Sequence, residues 1–210
     1  MNPWFNKKVI SVNELHETAG KAGELAANKA INYLDDHCRE FIQKSPFLLL
    51  STADQAGTCD VSPRGDDPGF VHILDDKTLL IPERPGNKRF DSMINIISNP
   101  CAGLLFIIPG LEETLRVNGK AAVLNDKKLM ERMAVKGKTP LFGIGVDVEE
   151  CFIHCAKAFK RSGLWQTEKW PAEETLPSAV KILKKHAALP GRSEESIEKS
   201  LEESYTKRLY

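Results

Sequence analysis

The feature that most constrains the fold is a series of short apolar segments, each ending at a turn signal, between residues 47 and 155. Short strands separated by Gly, Pro, Asp and Asn are typical of small antiparallel barrels. Most of the intervening turns are too short for the crossover that joins parallel strands. The predicted strands cover residues 47–52, 59–63, 69–74, 78–82, 101–108, 113–124, 144–148 and 151–155.

Helical patterns surround this series and interrupt it. Apolar residues at helical spacing predict helices over residues 14–38, 88–98, 127–135, 178–187 and 193–207. We therefore expect a mainly β, α+β fold: an antiparallel barrel of six or seven strands with helices outside it. The expected organisation is an N-terminal helical segment (residues 1–45), a barrel domain (46–165) and a C-terminal helical extension (166–210). The extension is expected to pack on the barrel or on a partner subunit, with a frayed surface helix as the alternative.

Charge and hydropathy exclude several classes of protein. The 29 basic and 29 acidic residues cancel, which argues against a nucleic-acid binder that depends on a basic face. The longest apolar run, residues 101–109, is too short to span a bilayer. The N-terminus lacks the apolar stretch of a signal peptide. We expect a cytoplasmic protein without nucleic-acid or membrane partners.

The five cysteines do not form a recognisable metal site. None belongs to a Cys-x-x-Cys pair, and their segments favour small buried hydrophobic side chains. Cys151, His154 and Cys155 suggest zinc ligands, but a second ligand pair at standard spacing is missing. We expect no metal.

The turn at residues 82–89 is the strongest candidate binding site. It follows an apolar run and holds Arg84, Asn87, Lys88 and Arg89 around Gly86. Gly86 can adopt backbone angles that point its N–H group into a concavity. Cations beside such a turn suit a phosphate or another small anion. The chain is neutral overall, so the cluster is local, although a solvated turn remains the alternative.

A second candidate precedes this turn. Ser62 and Arg64 fall on one side of an extended segment, and an Arg before a Gly can bind an oxyanion. The alternative is a surface ion pair of Arg64 with Asp66 or Asp67.

A third candidate is the alternating segment over residues 113–124. Thr114, Arg116 and Asn118 share one face of this strand, which is either solvent-exposed or lines a polar ligand site. Gly119 permits the close approach of another backbone or of a flat ligand. Nucleotide-binding, esterase and zinc-protease motifs are missing from the sequence, and no catalytic residue can be named.

Taken in order, these segments resemble the pyridoxamine 5'-phosphate oxidase-related family of FMN-binding split barrels. The resemblance is to the subgroup with a Ser-Pro-Arg-Gly-Asp element and covers residues 36–165. The matching segments are residues 47–54, 60–66, 68–71, 81–89, 99–100, 113–121, 154–158 and 161–165.

The resemblance implies a homodimer that holds FMN in a groove between its subunits. By motif position, Arg64, Asn87, Lys88 and Arg89 correspond to the residues that grip the phosphate. Pro82 falls at the flavin-contacting strand end, and Thr114 lies near the family's contact to the flavin ring, with Arg116 on the same face. Ser62 and Arg84 complete the expected cofactor-binding set.

The implied function is that of an FMN-dependent oxidoreductase with an unknown small-molecule substrate. The Arg-x-His element with which true pyridoxamine 5'-phosphate oxidases grip their substrate is missing, which argues against a vitamin B6 substrate. Branches of the family bind F420 or haem instead of FMN. One alternative is a non-catalytic flavin- or haem-binding protein for storage, sensing or stress protection. Another is a structural dimer whose anion-binding turn is vestigial.

Overall fold

The computed structural model describes residues 4–210, and its contacts divide the chain into two units, residues 1–30 and residues 31–210. The first unit contains α1 (Val12–Ala19) and α2 (Glu24–Asn28). Ser11 caps α1 by accepting a hydrogen bond from the N–H group of Glu14. The prediction of helix through residues 14–38 is wrong, because Gly20 ends α1 with a φ of 80°, a backbone conformation that favours glycine.

The second unit contains all the strands of the described residues. Its helices are α3 (Asp36–Lys44), α4 (Asp91–Ser98), α5 (Lys127–Arg132), α6 (Lys157–Ser162), α7 (Ala179–Ala187) and α8 (Glu194–Lys207). Its strands are β1 (Phe47–Ala53), β2 (Cys59–Gly65), β3 (His72–Ile73), β4 (Thr78–Pro82), β5 (Cys101–Ile107), β6 (Thr114–Leu124) and β7 (Gly143–His154). Two short 3-10 helices, Thr167–Lys169 and Glu173–Thr175, precede α7.

The seven strands form one antiparallel sheet in the order β2-β1-β5-β6-β7-β4-β3. This arrangement confirms the predicted antiparallel split barrel in an α+β fold. The two last predicted strands are a single strand, β7, whose 12 residues make it longer than the 11-residue β6. β3 is shorter than expected because a turn precedes it, in which the N–H group of Phe70 donates to the carbonyl of Asp67.

The core lies between the sheet and the helices packed on it. Its fully buried side chains include Ile42 of α3, Leu48 and Leu50 of β1, and Phe106 of β5. α4 packs against β1, β2 and β6. The buried Asn95 fixes it there, because its amide donates to Thr52 at 3.2 Å and to Asp60 at 3.1 Å. This contact ties the middle of α4 to the beginning of β2.

The predicted close approach at Gly119 is confirmed. A Cβ atom at this position would lie 2.0 Å from the backbone carbonyl oxygen of Asp147 on β7. The β6–β7 register shifts between Asn118 and Gly119, which forms a bulge in the ladder.

Two of the five cysteines, Cys38 and Cys151, are buried as expected. Cys59, Cys101 and Cys155 are exposed, so the prediction of buried thiols is wrong for these three. Over residues 4–210, no helix has both the length and the apolar character needed to cross a membrane. Within the same range, no three His, Cys, Asp or Glu side chains are grouped so that they could hold a metal ion.

Candidate functional site

A cavity of about 400 Å³ lies between the end of β2, the end of β4, the turn that follows β4 and the first residues of α4. We refer to it as the β2–α4 groove. Seven of the nine predicted cofactor-binding residues line it: Ser62, Arg64, Pro82, Arg84, Asn87, Lys88 and Arg89. The fold thus brings together two segments that are separate in the sequence, and it places both beside the start of one helix.

The first turn of α4 opens onto the groove, because Asp91 and Ser92 line it. Phe90 occupies the N-cap position with a left-handed backbone, and its side chain makes no capping hydrogen bond. The first N–H groups of a helix have no partner within the helix, and its dipole is positive at this end. An anion in the groove would meet these donors, as phosphates do at other helix N-termini.

Backbone strain is concentrated in the turn before α4. Lys88 and Phe90 have φ values of 61° and 58°, which side-chain-bearing residues rarely adopt. Gly86 is not in the left-handed region. The unusual backbone geometry of the turn lies two to four residues later, at residues that carry side chains. Strained backbone of this kind clusters at ligand-binding sites. Here the two strained residues lie directly before and after Arg89 in the sequence.

Arg64 is fixed by two neighbours at the wall of the groove. Its Nε donates to the hydroxyl of Ser62 at 3.2 Å, and its Nη1 donates to the carboxylate of Glu83. The hydroxyl of Ser62 lies 3.0 Å from that of Ser92 on α4. Ser62 and Arg64 therefore share one side of β2, as predicted. The carboxylate partner of Arg64 is Glu83, however, and not Asp66 or Asp67.

Arg84 lines the groove, but its hydrogen bonds go to the protein. Its Nε donates to Asp66 at 2.6 Å, and its Nη1 donates to the carbonyl of Met133 at 2.8 Å. The Asp66 side chain is only 2% exposed. Burial acts to raise the pKa of Asp66, but hydrogen bonds from Tyr210, the Asp67 N–H group and Arg84 outweigh it and hold the pKa below its usual value of 3.8. Arg84 is therefore a structural cation of the turn.

Lys88 and Arg89 are the cations with most freedom to meet a ligand. Lys88 has no hydrogen-bond or ion-pair partner within the described chain. Arg89 is exposed and donates from Nε to Asp91 at 2.8 Å. The side-chain oxygen of Asn87 accepts a hydrogen bond from the Arg89 N–H group at 3.0 Å, which shapes the turn. An exposed ion pair is weak, so an anion can compete with Asp91 for Arg89.

Thr114 and Arg116 do not line the groove of their own chain. Thr114 is buried at the start of β6, opposite His154. The Arg116 guanidinium carbon lies 5.2 Å from the centroid of the Phe152 ring, within the range of a cation–π contact. A single chain therefore presents seven of the nine predicted residues at one site, and these two lie elsewhere on the sheet.

A second cavity, of about 330 Å³, lies on the other side of the turn. It shares six lining residues with the first, namely Glu83, Arg84, Pro85, Gly86, Lys88 and Phe90. Its other lining residues are Lys138, Thr139, Pro140, Leu141, Phe142 and Tyr210. Sequence reasoning missed Glu83 as the partner of Arg64 and missed Tyr210 altogether. Glu83 lies within the turn at residues 82–89, but no pattern in the sequence links it to Arg64.

A family model described as pyridoxamine 5'-phosphate oxidase matches residues 34–155, more than half of the chain. No match to a curated protein was found.

Three solved structures illustrate the structural likeness. A putative pyridoxamine 5'-phosphate oxidase from Lactobacillus delbrueckii is 22% identical, with 59% of this chain and 98% of that chain covered and a TM-score of 0.47. HupZ from Group A Streptococcus is 19% identical, with coverage of 57% and 92% and a TM-score of 0.47. An FMN-binding protein from Syntrophomonas wolfei is 14% identical, with coverage of 56% and 88% and a TM-score of 0.43.

Proposed function

Since the chain belongs to the pyridoxamine 5'-phosphate oxidase family, we propose that it is an FMN-binding flavoprotein whose β2–α4 groove holds the FMN phosphate. The observation that carries this proposal is the meeting of Arg64, Lys88 and Arg89 at the uncapped start of α4. Charge-assisted donors and a helix N-terminus are the two standard means of binding a phosphate.

The groove fits a ligand of this class. Its volume of about 400 Å³ lies within the range of roughly 300–1,000 Å³ that small-molecule sites occupy. The unpartnered Lys88 and the weakly paired Arg89 leave positive charge available at one end. Pro82 and Pro63 supply apolar surface next to these cations. The site thus places anion-binding side chains beside a less polar wall, as the binding of a phosphorylated ring compound requires.

Haem is a poorer fit to the same groove. Protein ligands to haem iron are His, Cys, Met or Tyr. As far as the structure describes the chain, none of these residue types lines the groove. We therefore propose FMN in preference to haem.

We further propose that the protein is a homodimer in which Thr114 and Arg116 of a second copy complete the cofactor site. These residues lie outside the groove of their own chain. An apolar pair on α4 is available for a partner, because Ile94 and Ile97 are 58% and 76% exposed. Exposed apolar surface beside an incomplete site is typical of an interface.

Bound FMN would supply the redox chemistry, and the protein would supply binding, orientation and electrostatics. Arg64, Lys88, Arg89 and the start of α4 would hold the phosphate. Arg116 is the candidate cation for the pyrimidine end of the ring, where positive charge favours the reduced anion. We propose an oxidoreductase of unknown substrate in the cytoplasm.

A non-catalytic flavin-binding role is the second candidate, and one observation favours it. The two acids that line the groove, Glu83 and Asp91, are both paired with arginines. Neither is a free proton donor or acceptor in this arrangement. A role in storage or sensing needs only the phosphate-binding contacts, whereas a reaction that also transfers a proton would need a further group from the substrate or from a second subunit.

The experiment is to purify the protein, release any chromophore by denaturation and identify it by mass. FMN is the expected result, and the stripped protein is expected to rebind it. Recovery of haem or F420, or failure of the stripped protein to bind FMN, would overturn the cofactor assignment. Reduction by NAD(P)H with turnover of an electron acceptor separates the enzyme from the binding protein. Light scattering tests the dimer, since a monomer with one full FMN site would contradict it.

A further inference from the structure

Tyr210 contacts residues next to the β2–α4 groove. The Tyr210 hydroxyl donates to Oδ1 of Asp66 at 2.7 Å, across 144 residues of sequence. The other carboxylate oxygen of Asp66 accepts from Nε of Arg84 at 2.6 Å. The buried carboxylate of Asp66 therefore joins the tail to the turn that carries Lys88 and Arg89.

Tyr210 is held by more than this hydrogen bond. The Nζ atom of Lys136 lies 4.4 Å from the centroid of its ring, and the guanidinium carbon of Arg84 lies 5.9 Å from it. Lys138 donates from Nζ to the Tyr210 backbone carbonyl at 2.6 Å. The side chain and backbone of Tyr210 thus contact three segments of the chain, at residues 66, 84 and 136–138. These contacts give Tyr210 a defined position.

The turn depends on the same group of residues. Arg84 is anchored by Asp66 on one side and by the Met133 carbonyl on the other. The Glu83 N–H group, immediately before it, donates to the Phe142 carbonyl at 3.0 Å. Lys88, four residues after Arg84, has the strained backbone conformation. Strained backbone persists only where the surrounding structure holds it, and Arg84 is one of the few anchors of this turn.

We infer that Tyr210 is a positioning residue for the β2–α4 groove: its hydroxyl fixes Asp66, Asp66 fixes Arg84, and Arg84 holds the turn that presents Lys88 and Arg89. The inference rests on the proposed function only for the identity of the ligand. Tyr210 lies outside residues 34–155, the part of the chain that the family model matches.

The chemistry of the hydrogen bond supports this role. Asp66 is almost wholly buried, and a buried carboxylate requires donors for its oxygens. Its Oδ1 has the Tyr210 hydroxyl and the Asp67 N–H group as donors. The bond to Asp66, together with burial and the carboxylate charge, raises the pKa of Tyr210, so the hydroxyl keeps its proton and remains a donor. Without the Tyr210 hydroxyl, the Asp66 carboxylate loses one of its hydrogen-bond donors and holds Arg84 less firmly.

The test compares Tyr210→Phe with Tyr205→Phe. The first variant removes the hydroxyl and retains the ring, whereas the second makes the same change at a tyrosine of the same tail that is 64% exposed. Hydrogen–deuterium exchange over residues 83–90 measures how well ordered the turn is. The FMN affinity, measured by quenching of flavin fluorescence, shows whether the order of the turn matters for ligand binding.

Tyr210→Phe is expected to speed exchange at residues 83–90 and to weaken FMN binding about three- to tenfold, a part of what a hydrogen bond to a charged group is worth. Tyr205→Phe should match the parent in both measurements. Parent-like exchange at residues 83–90 in Tyr210→Phe would overturn the inference, and so would faster exchange spread evenly over the whole chain. If the parent protein binds no FMN, the proposed function fails, while the exchange measurement still tests the positioning role.

Discussion

The Arg64 guanidinium at the groove wall is already paired, because it donates to the carboxylate of Glu83, 19 residues away in the sequence. Both side chains are only 16% exposed. One of the cations that the family resemblance assigns to the phosphate is therefore partly neutralised by an acid in the same groove. An incoming phosphate has to share Arg64 with Glu83 or displace it, so Glu83 sets a limit on the anion affinity.

Replacing Glu83 with Gln should strengthen FMN binding. The change removes a negative charge from the groove and frees Arg64 for a charge-assisted hydrogen bond, so we expect Kd to fall by about three- to tenfold. Isothermal calorimetry on the stripped protein measures it. Glu112→Gln is the matched control, because Glu112 pairs with Lys160 and does not line the groove. Weaker or unchanged FMN binding in Glu83→Gln, with the control at parent affinity, would show that Arg64 does not contact the phosphate.

The Asp66 carboxylate should make stability depend on pH in the acid range. Its folded pKa lies below the usual value of 3.8, with Arg84, Tyr210 and Asp67 as the groups that face it. A depressed pKa contributes stability above pH 3.8, and that contribution is lost as the pH falls through the folded pKa. At neutral pH, Asp66→Asn should lower the free energy of unfolding by about 1.5–3 kcal/mol.

The measurement is a pair of urea denaturation series on the parent and on Asp66→Asn. The stability difference between them should be constant from pH 8 to pH 5 and should shrink below pH 4. A difference that stays the same at every pH would mean that the charge of Asp66 does not matter to the folded state.

Gly119 should tolerate no side chain. An added Cβ would lie 2.0 Å from the Asp147 carbonyl oxygen and 2.9 Å from its carbonyl carbon, both of which are backbone atoms of β7. Gly119→Ala must therefore displace a central strand pair, at a cost of at least about 2 kcal/mol in the free energy of unfolding. Gly86→Ala is the control, because a Cβ there meets nothing within 4 Å. If thermal melts place both variants within experimental error of the parent, the close approach of β6 and β7 is not as described.

Local signals in the sequence predicted most of the elements. The β1–β2 hairpin follows from its turn residues, and the Gly57 N–H group indeed donates to the Asp54 carbonyl. The tail helices were predicted from their apolar spacing, and the structure adds that Ser178 and Ser193 cap α7 and α8 by side-chain hydrogen bonds. The continuity of β7 was missed because Glu149 and Glu150 look like a break in an apolar strand. In the sheet, Glu150 accepts a hydrogen bond from Asn118 of β6, which supports an acidic residue within the strand.

The groove was predictable only where neighbouring residues form it. The turn at residues 82–89 and the Ser62–Arg64 segment are motifs of adjacent residues, so a single sequence reveals them. The Arg64–Glu83 and Tyr210–Asp66 contacts join residues that are 19 and 144 positions apart. Neither has a sequence pattern, because each depends on the path that the chain takes through space. Four of the five predicted cations therefore line the groove and Arg116 does not, while the pairing of Arg64 with Glu83 was not predicted.

The most direct test of the account is the ratio of the affinities for FMN and riboflavin, which differ by the phosphate. Both are measured by fluorescence quenching on the stripped parent and on Arg89→Ala, since one charge-assisted contact is worth about 1.5–3 kcal/mol, or about ten- to a hundredfold in Kd. The parent should bind FMN at least tenfold more tightly than riboflavin. Arg89→Ala should weaken FMN binding by at least tenfold and leave riboflavin binding unchanged. Equal affinities for FMN and riboflavin in the parent, or an FMN affinity in Arg89→Ala equal to that of the parent, would contradict the claim that the β2–α4 groove grips a phosphate.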